Sequence, residues 1–474
     1  MIMQVHDKLY INGKWVDATS ESVIEVINPT NEKIVGKIPV GSKSDVDDAV
    51  HAATNAFKIW SKSSIEDRIE KLNLLSQKIK EKTELLAKTI TSEVGTPIEY
   101  SRMAMVGTPR VVSRSYAKIL ETYEWEENVR NSLIVKEPIG VCAFITPWNF
   151  PLHQIIGKVA PAIAAGCTMI LKPSKEAPLN AFILAEIIDE IDLPPGVFNL
   201  VSGHGAEIGE YLAKHPGIDM ISFTGSTDAG KNVSRAASDS IKRVTLELGG
   251  KSANVALEDC NPQIVAKMAI NGCFQNSGQT CSALTRLIIP KKLSKEISDI
   301  IVERVSRYST GDPMDEKTKC GPMVSSKQQH SVTEYIKTGI EEGGKLIAGG
   351  LGMPEHLDTG FFVKPTVFTD IKTNMTIWKE EIFGPVLVIA TYENEDEALL
   401  LANDSIYGLS GAVWSNDKEK AINFAKQMKT GQVSVNGGHF NVNAPFGGYK
   451  MSGNGRELGI HGLEEFLEIK SIQM

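Results

Sequence analysis

"VCAFITPWNFPLHQIIGKVAPAIAAGCTMILKPS", residues 141–174, decides the fold class. It opens on a short apolar run, passes a polar turn bracketed by prolines, continues as a long segment of helical texture, and returns to a second apolar run. Strand, helix, strand in that order is the unit of a parallel sheet with helical crossovers. The alternation continues through "LNAFILAEIIDEI" (179–191), "GVFNLVSG" (196–203), "MISFTGS" (220–226), a helix beginning near Thr227, and "RVTLELGG" (243–250). An α/β fold with a Rossmann-type parallel sheet is predicted. In such sheets ligands bind beyond the carboxyl ends of the strands. Those ends read "TPWNFP" (146–151), "KPSKEAP" (172–178), "SGHG" (202–205), "TGSTDAG" (224–230) and "ELGGK" (247–251).

Upstream, "KLYINGKWV" (8–16) predicts a hairpin turning at Asn12-Gly13. Ser44 and Asp47 then have the spacing of a capping box. Val46, Val50, Ala53 and Phe57, and afterwards Ile65, Ile69, Leu72, Leu75 and Ile79, follow helical spacing as packing faces. Beyond Lys251 the texture changes, which sets a boundary near residue 250.

The 474 residues are 42% apolar and 23% charged, as in an ordinary soluble protein with a large core. Lys plus Arg number 50 against 58 Asp plus Glu, a net charge of -8, which argues against nucleic acid as a partner. The amino terminus lacks a basic start followed by an apolar block, and no apolar run approaches the roughly 18 residues of a membrane span. Six scattered cysteines (142, 167, 260, 273, 281 and 320) form neither a disulfide framework nor a metal site. A cytoplasmic protein with reduced thiols and no metal is expected.

One of those cysteines stands apart. Cys281 ends "NSGQTC", a polar turn that can leave the thiol accessible and surround its thiolate with donors, whereas a structural cysteine sits among apolar neighbours. A nucleophilic thiol needs a base. Glu247, at the end of an apolar run, is either a solvated strand end or a desolvated carboxylate with a raised pKa. Asn149, between Trp148 and Phe150, is a turn residue or a donor to a developing oxyanion. Gly225 and Gly230 open a helix after a strand, where backbone N–H groups can meet a phosphate, and "GHGAEIG" (203–209) is another imperfect glycine motif. Lys172 closes a strand, within reach of ribose or phosphate, or faces solvent.

Taken in chain order, "PWNFP", "LKPS", "FTGS", "LELGGK", "GQTC", "EEIFGPV" and "PFGGYKMSG" resemble the NAD(P)-dependent aldehyde dehydrogenase superfamily, from about residue 9 to 470. The resemblance implies an aldehyde dehydrogenase-like fold. Residues 1–119 and 139–250 would form the nucleotide-binding domain and 251–452 an α/β catalytic domain. An oligomerisation element and C-terminal segment would come from 120–138 and 453–474, with Glu127-Asn128 as its hairpin turn and a terminal strand. A homodimer or homotetramer is implied. So is the chemistry: Cys281 attacks the aldehyde carbon, Asn149 and the Cys281 backbone N–H hold the oxyanion, hydride leaves, and Glu247 activates the water that hydrolyses the thioester. Branches that acylate coenzyme A are expected to lack this glutamate. Ile145, Thr146, Trp148, Lys172, Ser174, Lys175, Gly205, Phe223, Gly225, Ser226, Leu248, Glu381 and Phe383 would hold the dinucleotide. Glu457 of "GRELG" matches a carboxylate of a proton path or serves a structural role.

One position departs from the family pattern. NAD-preferring members commonly read K-P-x-E, whereas here Lys175 stands at that place and Glu176 follows. A lysine can pair with a 2′-phosphate, so NADP as well as NAD is expected; alternatively Lys175 faces solvent and Glu176 holds the ribose. The substrate pocket should include His153, Gln275, Ser282, His439, Phe440 and Phe446. None of these is an arginine able to clamp a second carboxylate, although Arg102 or Arg110 would be candidates to reach in. An inactive scaffold and a coenzyme A-acylating enzyme are the rival readings.

Overall fold

A computed structural model describes residues 3–474; the first two residues of the amino-terminal stretch considered above lie outside the described part. The first hairpin is β1 (Lys8–Ile11) and β2 (Lys14–Asp17), turning at Asn12 (φ 54°) and Gly13 (φ 71°), both left-handed as a tight two-residue turn requires. Helices α1 (Lys43–Trp60), α2 (Ile65–Glu81) and α3 (Thr108–Leu120) follow. The capping box of α1 lies two residues earlier than predicted. Ser42 Oγ accepts from Asp45 N, and Asp45 Oδ2 accepts from Ser42 N at 2.7 Å. "SKSDVD" (42–47) offers two overlapping registers, and a tertiary contact chooses between them. Asp45 also accepts from Thr19, while Asp47 accepts from Tyr211 Oη.

The antiparallel hairpin β3 (Glu126–Val129) and β4 (Ser132–Pro138) turns at Arg130-Asn131 rather than at Glu127-Asn128. Glu127 and Asn128 belong to the ladder opposite Ile134 and Leu133, and Arg130 takes the positive φ of 55°. Then come β5 (Val141–Ile145), α4 (Pro151–Ala165), β6 (Thr168–Lys172), α5 (Leu179–Glu190), β7 (Phe198–Leu200), β8 (Met220–Thr224), α6 (Thr227–Ala237) and β9 (Arg243–Glu247), as the strand and helix pattern predicts. The second half supplies β10 (Ala253–Ala256), α7 (Pro262–Phe274), β11 (Arg286–Pro290), β12 (Lys345–Ala348), β13 (Thr366–Thr369), β14 (Val386–Tyr392), β15 (Ser410–Trp414) and β16 (Gln432–Val435). Two further strands close the chain, β17 (Gly453–Asn454) and β18 (Leu467–Gln473).

Three sheets organise these strands. The first has the order β17-β9-β8-β5-β6-β7-β1-β2, parallel from β9 to β7 and edged by antiparallel strands. The second runs β12-β13-β14-β11-β10-β15-β16, and the third is the antiparallel β18-β4-β3. In the first sheet the chain runs outward from β5 through β6 to β7, then returns to lay β8 on the other side of β5. The crevice at that reversal is where an open α/β sheet binds ligands. "TPWNFP" and "TGS" flank it. Among the described residues no helix is long and apolar enough to cross a membrane.

The core follows from the periodicities. Every residue of β5, β6 and β8 is buried, as is nearly all of α4, and each large apolar side chain so placed contributes roughly 1.5–3 kcal/mol. The carboxyl end of α4 is held from α2. Buried Arg68 donates to the carbonyls of Ala165 (3.0 Å) and Ser61 (3.0 Å) and to Ser63 Oγ (2.9 Å). Gly166 follows at φ 87°, where a Cβ would stand 2.5 Å from the guanidinium. Since α4 carries the Asn149 turn on its other end, we expect Arg68→Ala to strip several buried acceptors and cost about 3 kcal/mol. A lowered thermal unfolding midpoint checks this; an unchanged midpoint would contradict it.

Candidate active site

The turn before Cys281 is wound the wrong way for ordinary residues. After α7 ends, Asn276, Ser277 and Gly278 take φ values of 49°, 56° and 74° in succession. Two non-glycine residues in this region cost of order 1–3 kcal/mol each, so the surroundings must hold them. They do. Thr96 Oγ1 donates to Asn276 Oδ1 (2.7 Å), Ser277 Oγ to the Gly321 carbonyl (2.9 Å), and the Gln279 side chain bridges Val324 N and Pro322 O. Gly278 packs against the Gly384 carbonyl, where a Cβ would come within 2.0 Å.

This turn meets the one after β5. Asn149 Nδ2 donates to the Gln279 carbonyl at 3.1 Å, and Asn276 Nδ2 donates to the carbonyls of Asn149 (2.9 Å) and Gln279 (3.2 Å). The carboxamide of Asn149 is thereby fixed beside the thiol with one N–H still to give. Gly250 lies against the other side, where a Cβ would be 2.5 Å from the Cys281 carbonyl.

Glu247 ends β9 between Thr224 of β8 and Gly453 of β17. It is 5% exposed, and neither carboxylate oxygen has a hydrogen-bond partner. Burial pushes its pKa well above the usual carboxylate range, and the Glu457 carboxylate pushes further. Gly447 of the "PFGG" stretch makes room for it: a Cβ there would sit 2.8 Å from Glu247 Oε1. Beyond lies a buried polar chain that joins Glu457, already marked in the sequence, to Lys158, which sequence reading missed. Lys158, 1% exposed, pairs with Glu457 and donates to Thr224 Oγ1 at 2.8 Å.

The thiol differs from expectation. Burial raises the Cys281 pKa, the carboxylates of Glu247 and Glu381 raise it further, and the Ser282 backbone N–H is the one group opposing them. A polar turn in sequence thus becomes an enclosed, anion-flanked thiol in space. It is the one described residue lining both of two cavities.

The first cavity, about 220 Å³, gathers Trp148, Asn149, Gly225, Ser226, Glu247, Leu248, Glu381 and Phe383, with Pro147, Thr224, Gly249 and Gln328 besides. Phe383 stands edge-on to Trp148 at 5.4 Å, held at a positive φ of 56°. Glu381 Oε1 accepts from Gly250 N (2.9 Å), and burial lifts its pKa to about 7. A Cβ on Gly249 would fall 2.3 Å from Glu381 Oε2 and would force that carboxylate to move. Ser226 caps α6, so the first-turn N–H groups of that helix face the crevice. Ile145, Thr146, Lys172, Ser174, Lys175, Gly205 and Phe223 are not part of this lining. Lys172 is buried, its pKa lowered to about 8 by desolvation and by Lys175. Lys175 is half exposed, 3.5 Å from Glu176, and Ser174 Oγ accepts from Glu176 N. Ile145 and Phe223 are buried at strand ends, Thr146 Oγ1 is unpartnered, and Gly205 is exposed.

The second cavity, about 520 Å³, brings together all six predicted pocket residues, His153, Gln275, Ser282, His439, Phe440 and Phe446. Tyr100, Phe150 and Gln154 join them, and no Asp, Glu, Lys or Arg does. Tyr100, Phe150, His153, Phe440 and Phe446 form a chain of edge-to-face rings 6.1–6.4 Å apart. Burial lowers the His153 pKa to about 4, so its imidazole is neutral. Neither candidate arginine enters: Arg102 is taken by Glu84, Glu99 and Glu316, and Arg110 lines a separate groove. Among the described residues no cluster could hold a metal ion.

Comparison with known proteins follows this geometry. The model of the aldehyde dehydrogenase family matches residues 15–472. A 3-succinoylsemialdehyde-pyridine dehydrogenase of a Pseudomonas species is 47% identical over 99% of both chains. Among solved structures, a cysteine-to-alanine variant of aldehyde dehydrogenase C from Pseudomonas syringae, complexed with NAD+ and octanal, superposes with a TM-score of 0.98 at 45% identity, covering 98% of this chain and 96% of that one. A Mycobacterium tuberculosis aldehyde dehydrogenase complexed with NAD+ gives 0.97 at 40% identity, covering 100% and 99%.

Two outcomes are expected. Gly278→Ala should abolish the reactivity of Cys281, because the Gly384 carbonyl leaves no space for a Cβ. Alkylation of Cys281 by iodoacetamide should accelerate as pH rises through 9, and faster still in Glu247→Gln, since removing a carboxylate lowers the thiol pKa. Equal rates in the two proteins would contradict this electrostatic account.

Proposed function

The chain belongs to the aldehyde dehydrogenase family, and we propose that it oxidises uncharged aldehydes with an aromatic or long apolar body to carboxylic acids, using NAD+. One observation carries the reading: Cys281 alone lines both the ring-walled cavity without charged groups and the cavity of Trp148, Ser226, Glu381 and Phe383. An aldehyde in the first and a dinucleotide in the second would meet at its sulfur. The names of the relatives agree, one including a pyridine-bearing semialdehyde and another structure holding octanal.

The residues fit the cofactor. The N-terminus of α6 suits a pyrophosphate, Glu381 keeps one carboxylate oxygen for ribose hydroxyls, and Trp148 and Phe383 frame a slot for a flat ring. NAD+ supplies the hydride acceptor when bound. In this reading the Cys281 thiol gives its proton to solvent, the resulting thiolate sulfur forms a bond to the aldehyde carbon, and Asn149 Nδ2 with the Cys281 N–H takes the charge that develops on the carbonyl oxygen. Loss of hydride leaves a thioester on Cys281. Glu247 then takes a proton from water, the hydroxide adds to the thioester carbon, and the C–S bond breaks to release the carboxylate. The pair of Glu457 and Lys158 beside Glu247 gives that proton a route onward. The presence of Glu247 supports water, rather than coenzyme A, as acyl acceptor.

Acceptance of NADP+ belongs to the same proposal, supported by Lys175 at the end of β6. Glu176 at 3.5 Å tempers its charge, so NAD+ is placed first. A homo-oligomer is proposed as well, since β3 and β18 are the two open edges of their sheet and expose Val129 on one and Ile469 and Ile472 on the other. All six cysteines are free thiols, which suits the cytoplasm.

Initial rates of NAD+ reduction with octanal test the activity. Cys281→Ala should show none while remaining folded; retained turnover would displace Cys281 as nucleophile. Glu247→Gln should give a burst of about one NADH per chain and then stall, because the acyl-enzyme is not hydrolysed. In the unaltered enzyme the hydrolytic step should quicken as pH rises, because the raised pKa keeps Glu247 protonated at lower pH. A flat profile from pH 6 to 9 would argue against Glu247 as the base. Lys175→Glu should reduce NADP+ use and spare NAD+.

A further inference from the structure

A separate groove of about 580 Å³ runs between α2 and α3. Its lining carries Lys80 from α2 and Arg110, Arg114 and Lys118 from α3, with no Asp or Glu. Among the described residues none of these four lies within 4 Å of a carboxylate, while the neighbouring Lys78 and Lys82 both pair with Glu190. Glu81, the acid next to Lys80, is turned to Lys78 and to Gln77. The three cations of α3 stand at i, i+4 and i+8, where like charges repel along a helix, in a protein whose net charge is -8.

Concavity separates this cluster from a solvated basic face. Asn73, Ser76, Gln77, Ser115 and Asn443 complete the walls, and Val111 and Val442 supply apolar surface. The groove between α7 and α8 (Ser294–Ser306) offers a contrast. It too has Lys267, Arg304 and Arg307, but Glu303 sits inside it and pairs with Arg307 at 3.1 Å. The lining of the α2–α3 groove has no such carboxylate.

We propose that this groove binds a small multivalent anion, a di- or tricarboxylate or a phosphate compound, through Lys80, Arg110, Arg114 and Lys118. It lies behind the wall of the ring-lined cavity. Thr108 at the start of α3 and Asn441 and Ala444 face that cavity, whereas Arg110, Arg114, Val442 and Asn443 face the groove. An occupant would therefore rest on the same segment that encloses the aldehyde.

Calorimetric titration of citrate, and separately of pyrophosphate, into the full chain holding saturating NAD+ tests the proposal, with ionic strength fixed by KCl. One saturable site per chain is expected, weakened at least ten-fold in Arg114→Ala/Lys118→Ala and kept in Arg114→Lys/Lys118→Arg. Preference for citrate or for pyrophosphate names the source of the charge. Absence of saturable binding with both probes, or binding that ignores the alanine pair, would overturn it. So would a change of molecular mass in the alanine pair, which would assign the groove to contacts between copies. Binding is read directly, so its outcome stands apart from whether octanal is oxidised.

Discussion

The carbonyl oxygen of Gln279 accepts two side-chain amides, one from Asn149 after β5 of the first sheet and one from Asn276 in its own turn. Through this atom the two halves of the chain agree on where the sulfur and its neighbouring amide stand. The left-handed run of Asn276 to Gly278 brings the carbonyl to that point, and Thr96, Gly321, Pro322, Val324 and Gly384 hold the run in place. Buried hydrogen bonds of this kind are costly to leave unmade, so the parts are set together or not at all.

Around that fixed point the charges are arranged against stability. Glu247, Glu381 and Glu457 surround one thiol, and Glu247 has no hydrogen-bond partner for either oxygen. Burial raises the pKa of Glu247, Glu381 and Cys281, and neighbouring carboxylates push Glu247 and Cys281 further. Lys158, paired with Glu457, also opposes the upward shift of Glu247. The core of β5, α4, β6 and β8, buried almost without exception, supplies the stability against which this strain is set.

Strands, crossovers and their polar ends were legible because burial on both faces leaves unbroken apolar runs, and function collects where those runs stop. Asn149, Glu247, Gly225 and Ser226 all sit at such ends, and Cys281 stood out by the polarity of its turn. Other features depend on distant residues and left no local trace. The choice between Ser42 and Ser44 as cap rests on Thr19, and the hairpin turn at Arg130 rests on the register of β3 against β4. Tyr100 went unmarked, and Glu457 was marked but not its partner Lys158, which lies far away in sequence. The sign of the thiol shift needed three carboxylates from three segments. Lys172 was read correctly as the end of its strand, whereas Lys175 lies beyond that end; both lie outside the cavity that holds Cys281.

Gly453 and Asn454 form the outermost strand of the first sheet, hydrogen-bonded to Leu246 and Glu247 of β9. This has a consequence for the order in which the molecule is made. During synthesis β9 emerges some two hundred residues before the strand that covers its edge, and until then the edge and its glutamate face water. The first sheet cannot be completed as an amino-terminal unit ahead of the rest, as domains commonly are on the ribosome. It waits for the end of the chain, so a truncated product would carry the thiol but not a closed sheet beside it.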